Sequence, residues 1–119
     1  MKPRTLMVIP VLVAALVAAM PALFAHAELE RTDPADNAML TAPPAAVQLW
    51  FDEKPDLAVS SIVVTGSSGP APLGPLFSLG NHMGANFKGT LAPDSYTVAW
   101  QTAGDDGHVE KGEFSFMVH

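Results

Sequence analysis

Beyond residue 26 the apolar positions recur with a period of two, the signature of strands that bury one face. In VQLWFDE, Val47, Leu49 and Phe51 alternate with Gln48, Trp50 and Asp52. DSYTVAWQT places Tyr96, Val98 and Trp100 on one face and Thr97, Ala99 and Gln101 on the other, while GEFSFMVH sets Phe114, Phe116 and Val118 against Glu113, Ser115 and Met117. LAVSSIVVTG is a β-branched run of the kind that suits a pleated surface, and ANFKGTL predicts a shorter strand with Phe87 and Leu91 on one face. No ten-residue segment of this region carries a helical stripe.

Prolines fall between these runs and not inside them, as expected of a residue that cannot donate to a ladder; Pro55, Pro70, Pro75 and Pro93 are examples. The connection from Gly66 to Gly84 is rich in Gly, Ser and Pro and longer than hairpin loops, which predicts a mobile segment. About seven short strands separated by turn signals predict an all-β domain, a small Ig-like sandwich with Greek-key connections. Trp50, Trp100, Tyr96 and the phenylalanines are its expected core.

The chain begins differently. Lys2 and Arg4 precede an apolar run from Leu6 to Met20, and PALFA then supplies a helix breaker and small residues ending at Ala25. This is the layout of a secretory signal peptide, with Pro10 and Pro21 arguing against an uncleaved anchor. The expected organisation is a signal in residues 1–25 and one domain in residues 26–119, with no stable membrane span after cleavage. A cut after Ala27 fits the local rule slightly better and would start the protein at Glu28.

Removal of residues 1–25 leaves four Lys or Arg residues against all 12 acidic ones, a net charge of 4 − 12 = −8. Such a surface disfavours nucleic acid and anionic lipid and favours cations. The chain has no cysteine. An exported domain of this size is therefore held by packing without disulfides, and thiolate is excluded as a ligand or nucleophile.

Candidate chemistry concentrates in GDDGHVE, Gly104 to Glu110. Asp106 and His108 are two apart, so an extended backbone projects both to one side. Asp-Gly and Gly-His pairs are also ordinary turn chemistry. A partner lies at the far end of the domain, because cleavage after Ala25 makes His26 the first residue. A leading histidine offers an α-amine, with an ordinary pKa of about 7.7 to 8.0, beside its own imidazole, and the two nitrogens close one chelate ring. With Asp106 and His108 the inventory is three nitrogens and one oxygen, a set that suits tetragonal Cu(II) and weakens in acid as the ligands protonate.

The leading histidine, DPADNAMLTAPPAAVQLWFDE, LAPDSYTVAWQTAGDDGH and the closing GEFSFMVH resemble the CopC/PcoC-type periplasmic copper-binding, or copper resistance, proteins across essentially all of residues 26–119. The resemblance implies a Greek-key β-sandwich that binds Cu(II) through the amine and imidazole of His26, the carboxylate of Asp106 and the imidazole of His108, with Glu28 no closer than the second layer. It implies a periplasmic protein, not an enzyme, acting in copper sequestration, trafficking or resistance. Its partners would be the copper ion and a membrane copper transporter or another copper carrier.

Two departures qualify the resemblance. Several relatives carry a methionine-rich loop for Cu(I), whereas here the long connection offers only His82 and Met83, which a strand would point to opposite faces. Met39 and Met117 are isolated in sequence, and His119 stands alone at the end; the expectation is poor Cu(I) binding. Val109 follows His108 where many relatives have proline. Two rival functions stay open, a copper monooxygenase built on a leading histidine and a metal-free Ig-like interaction module. No Ser/His/Asp arrangement, phosphate loop or paired catalytic carboxylates stand out.

Overall fold

The computed structural model describes residues 27–119, so the expected signal in residues 1–25 and the proposed ligand His26 lie outside the described residues. The strands are β1 (Leu29–Asp33), β2 (Ala38–Leu40), β3 (Ala46–Phe51), β4 (Ser61–Gly66), β5 (Gly69–Ala71), β6 (Phe77–Leu79), β7 (His82–Asn86), β8 (Asp94–Ala103) and β9 (Val109–Val118). They form a four-stranded sheet in the order β1, β3, β7, β6 and a five-stranded sheet in the order β2, β9, β8, β4, β5. The only helical turn among the described residues is a 3-10 turn, Leu57–Val59, in which the Asp56 carboxylate accepts the Ala58 N–H. No helix of the described residues is long and apolar enough to cross a membrane.

The period-two faces meet as the sequence predicts. Val47, Leu49 and Phe51 of the smaller sheet oppose Tyr96, Val98, Trp100, Phe114, Phe116 and Val118 of the larger one, and all are buried. Phe51 meets Trp100 edge-on with ring centroids 5.5 Å apart, and Tyr96 stacks on Phe116 at 5.4 Å. The Tyr96 hydroxyl donates to the carbonyl of Ala92, four residues upstream, the tyrosine corner of Ig-like sandwiches. Burial first, then the nearby Asp94 carboxylate, push its phenol pKa up. Asp94 itself clips the β4–β5 turn to the start of β8: its Oδ2 accepts from the Ser67 hydroxyl at 2.7 Å and the Ser67 N–H at 2.8 Å. Those bonds, the side-chain one foremost, hold its carboxyl below the usual range.

Three expectations need correction. The Gly66 to Gly84 segment is not a loose connection, since it contains β5, β6 and the start of β7. The strand expected over ANFKGTL sits earlier, at His82–Asn86, and Phe87 keeps only an isolated bridge to Leu73. The alternation in HMGAN is concealed because Gly84 and Ala85 carry too little side chain to show a pattern. Trp50 is not core: Val47, Leu49 and Phe51 occupy the inner face of β3, so the same period turns Trp50 outward. There it stacks on His82, with centroids 4.5 Å apart, and the Arg31 guanidinium covers it 3.6 Å from the ring centroid.

Gly84 shows why β7 needs a residue without a side chain. A Cβ there would lie 2.7 Å from the Val47 carbonyl oxygen and 2.8 Å from Phe77 Cζ. Gly84→Ala is expected to cost about 1–3 kcal/mol, the range of overpacked sites, by chemical denaturation. A loss of less than a few tenths would mean that the β3 backbone at Val47 and the Phe77 ring both give way freely.

Candidate metal centre

The long strands β8 and β9 pair without interruption from Asp94 opposite Val118 to Ala103 opposite Val109, and the loop between them carries the predicted chemistry at one end of the sandwich. Gly104 is buried and accepts the Gly107 N–H at 3.0 Å, while Gly107 sits at φ 78, a conformation that favours glycine. This tight turn delivers His108 back toward Asp106. Asp106 Oδ1 accepts the His108 backbone N–H at 2.9 Å, and Oδ2 lies 2.9 Å from His108 Nδ1. The carboxylate is the more enclosed partner, with its side chain 18% exposed against 54% for the imidazole.

The same end of the sandwich anchors the first described residues. Leu29 pairs with Phe51, and just before it Glu28 donates its N–H to Asp52 Oδ1 at 2.7 Å while its carbonyl accepts the Asp52 N–H at 2.9 Å. Ala27 is completely buried within the core cluster. The next residue of this segment, Glu53, accepts the Asp105 N–H at 3.1 Å, and Asp56 donates its N–H to the Ala103 carbonyl at 3.0 Å. Ser60 completes the clamp: its hydroxyl donates to the Asp56 carbonyl at 2.6 Å and meets Thr102 Oγ1 at 2.7 Å. The connection from Asp52 to Ser60 thus ties the first residues of the domain to the loop that holds Asp106 and His108.

Sequence reasoning singled out Asp106 and His108 and missed Asp52, Glu53 and Asp56. The available signal was the break in alternation after Phe51, where FDEKPD offers carboxylates at a strand end. Together with Asp105 and Asp106 they make this end acidic, a field that gathers cations. Among the described residues no three or more His, Cys, Asp or Glu side chains converge as a metal-holding group. Glu28 is exposed, and its backbone N–H and carbonyl both engage Asp52. His82 and Met83 do not form one site: His82 lies on the outer face between Trp50 and Phe77, whereas Met83 is fully buried in the core.

Residues 29–119 match the CopC domain. The chain belongs to the CopC family. Among its relatives, Protein YobA of Escherichia coli is 33% identical over 103 residues, covering 82% of each chain. Copper resistance protein C of Xanthomonas campestris pv. juglandis is 31% identical over 124 residues, covering 97% of this chain and 96% of that one. The crystal structure of CopC from Methylosinus trichosporium superposes with a TM-score of 0.71 at 27% identity, over 78% of this chain and 93% of that one. The two-sheet sandwich is therefore the fold of the CopC family. The family match starts at Leu29, so Asp106 and His108 fall inside it and His26 before it.

Proposed function

We propose that this protein is an exported, periplasmic carrier that takes up Cu(II) as cargo and releases it to a partner without performing chemistry on it. Its role is copper sequestration, trafficking or resistance, in keeping with the copper resistance protein among its relatives. The ligands in this reading are the α-amine and imidazole of His26, the carboxylate of Asp106 and the imidazole of His108. One observation carries it: Asp106 and His108 are held 2.9 Å apart at the end of the sandwich where Ala27 and Glu28 are anchored. Two donors each about 2.0 Å from one ion and at right angles to each other lie about 2.8 Å apart, so the pair suits adjacent positions of a tetragonal site. His26 immediately precedes the buried Ala27 in sequence, and in this reading it supplies the remaining nitrogens.

Three neutral nitrogens with one carboxylate form a borderline set that Cu(II) prefers over Zn(II) by the usual order of divalent affinities. Loading displaces protons, so uptake strengthens as pH rises toward the ordinary range of the amine. A membrane copper transporter or a second copper carrier is the partner that this reading requires. Copper titration of the exported protein, followed by electron paramagnetic resonance, should show one saturating tetragonal Cu(II) species with nitrogen ligands. Binding that never saturates, or a spectrum without nitrogen couplings, would sink the proposal.

A further inference from the structure

The end of the sandwich that carries Asp106 and His108 also carries a groove that the Cu(II) site does not use. Three segments wall it: the 3-10 turn at Leu57, the β6–β7 hairpin at Leu79 and the β8–β9 loop at Asp105. Its volume is about 690 Å³. Leu79 is 77% exposed, and Leu57 is only partly buried against the core. A single exposed leucine is ordinary, but two leucines lining one concave wall are shaped to take an apolar side chain. Ser78 lines the same wall, and its hydroxyl, shut off from solvent, has no hydrogen-bond partner among the described residues. Buried hydroxyls are normally satisfied, so this one is placed for a group brought in from outside.

The charge around this groove is nearly all of one sign. Asp56 and Asp105 line it, and Lys54 is the only cation among the described lining residues. Asp52, which accepts the Glu28 N–H, Glu53, which accepts the Asp105 N–H, and Asp106 belong to the same end. These carboxylates concentrate negative potential beside an apolar wall, the complement of a cationic segment with an apolar centre. A second copy of this chain would bring the same carboxylates to the contact, where like charges repel.

We propose that this groove docks a cationic segment of the protein that exchanges copper with this chain, a large apolar side chain entering between Leu57 and Leu79 while Lys or Arg side chains reach Asp56 and Asp105. That the partner exchanges copper rests on the Cu(II) reading above; the docking itself does not. Groove and proposed ligands share the β8–β9 loop, so docking brings cations close to Asp106. Positive charge there opposes a divalent ion in the site, and binding linkage makes the opposition mutual: segment and Cu(II) weaken each other by the same factor. A recipient bound here therefore helps to drive the ion off.

The test uses metal-free exported protein with isotope-labelled amides. It is titrated with the capped peptide acetyl-Lys-Lys-Phe-Leu-Lys-Lys-amide, with a counterpart carrying Glu for every Lys, and with one carrying Ala for Phe and Leu. The amide resonances of Leu57, Leu79 and Asp105 should move together and saturate with the first peptide. The Glu counterpart should leave them in place, and the Ala counterpart should bind about tenfold more weakly for want of the buried side chain. Leu79→Ser, whose exposed position keeps the variant folded, should weaken the first peptide severalfold and leave Cu(II) affinity unchanged, while Asp105→Asn should weaken the peptide and flatten its salt dependence. Saturating peptide should lower Cu(II) affinity severalfold. Shifts that spread over every carboxylate without saturating, or unaltered peptide affinity in Leu79→Ser, would overturn the groove. So would movement of the same resonances with protein concentration alone, which would assign it to a second copy. Equal Cu(II) affinity with and without peptide would overturn its link to copper exchange. Failure of the Cu(II) reading is separate: copper resonance that does not respond to His108→Ala leaves the docking result standing.

Discussion

His108→Ala should weaken Cu(II) binding by more than about a hundredfold while leaving the melting temperature of the metal-free protein within a few degrees of wild type. Substituting residues that merely orient a metal ligand typically costs 10–100-fold, so loss of the ligand itself should exceed that range. The fold should tolerate the change because the imidazole is more than half exposed at the tip of the β8–β9 loop, where substitutions usually alter stability by less than about 0.5 kcal/mol. Asp106→Ala should be the milder lesion for copper, in the 10–100-fold range, since Asp105 or water can take up an equatorial position. It should also loosen the loop, because Asp106 accepts both the backbone N–H and the ring contact of His108. Isothermal titration with copper and thermal melts of both apo variants give the comparison. Collapse of the apo fold in His108→Ala would make His108 a structural residue and remove it from the site.

How far the sequence could be read depended on where its information was local. The inner faces of β3, β8 and β9 were legible because large apolar residues alternate without interruption, and the sandwich follows from burying them against each other. The pairing of Asp106 with His108 was legible for the same reason: two residues, one glycine between them, one turn. What escaped was non-local or chemically silent. β7 is silent in the sequence because Gly84 and Ala85 leave no hydrophobic signal, although Gly84 is required by the close approach of Val47 and Phe77. By type Trp50 belongs in a core, whereas its parity with Gln48 places it outside. The tether from Asp52 and Glu53 to Glu28 and Asp105, and the groove that Leu57 and Leu79 share with Asp105, join residues from distant parts of the chain. Only the strand order brings them together, and composition and spacing carry no trace of it.

The protein that leaves the cell membrane should begin at His26, and adding even one residue before His26 should reduce Cu(II) affinity at least about a hundredfold, or ~2.8 kcal/mol at about 1.4 kcal/mol per tenfold. Local cleavage rules allow a cut after Ala25 or after Ala27, and the fold argues for the first. Ala27 is enclosed in the core cluster and Glu28 is clipped by both backbone groups to Asp52, so a cut after Ala27 would take a packed residue from the sandwich and leave the new amine at Glu28. Cleavage after Ala25 keeps Ala27 as the anchor and places the amine and imidazole of His26 one residue beyond it. An extension converts that amine into an amide, which removes one donor and breaks the chelate ring while leaving the sandwich untouched. The extended form should therefore melt with the native one and differ from it only in copper. Its affinity should also lose the part of its rise with pH that comes from deprotonating an amine with an ordinary pKa of about 7.7 to 8.0. Intact-mass measurement of the exported protein and paired copper titrations across pH test both halves of the prediction. A mass beginning at Glu28, or equal affinity and equal pH dependence with and without the extension, would remove His26 from the site and leave Asp106 and His108 without their chelating partner.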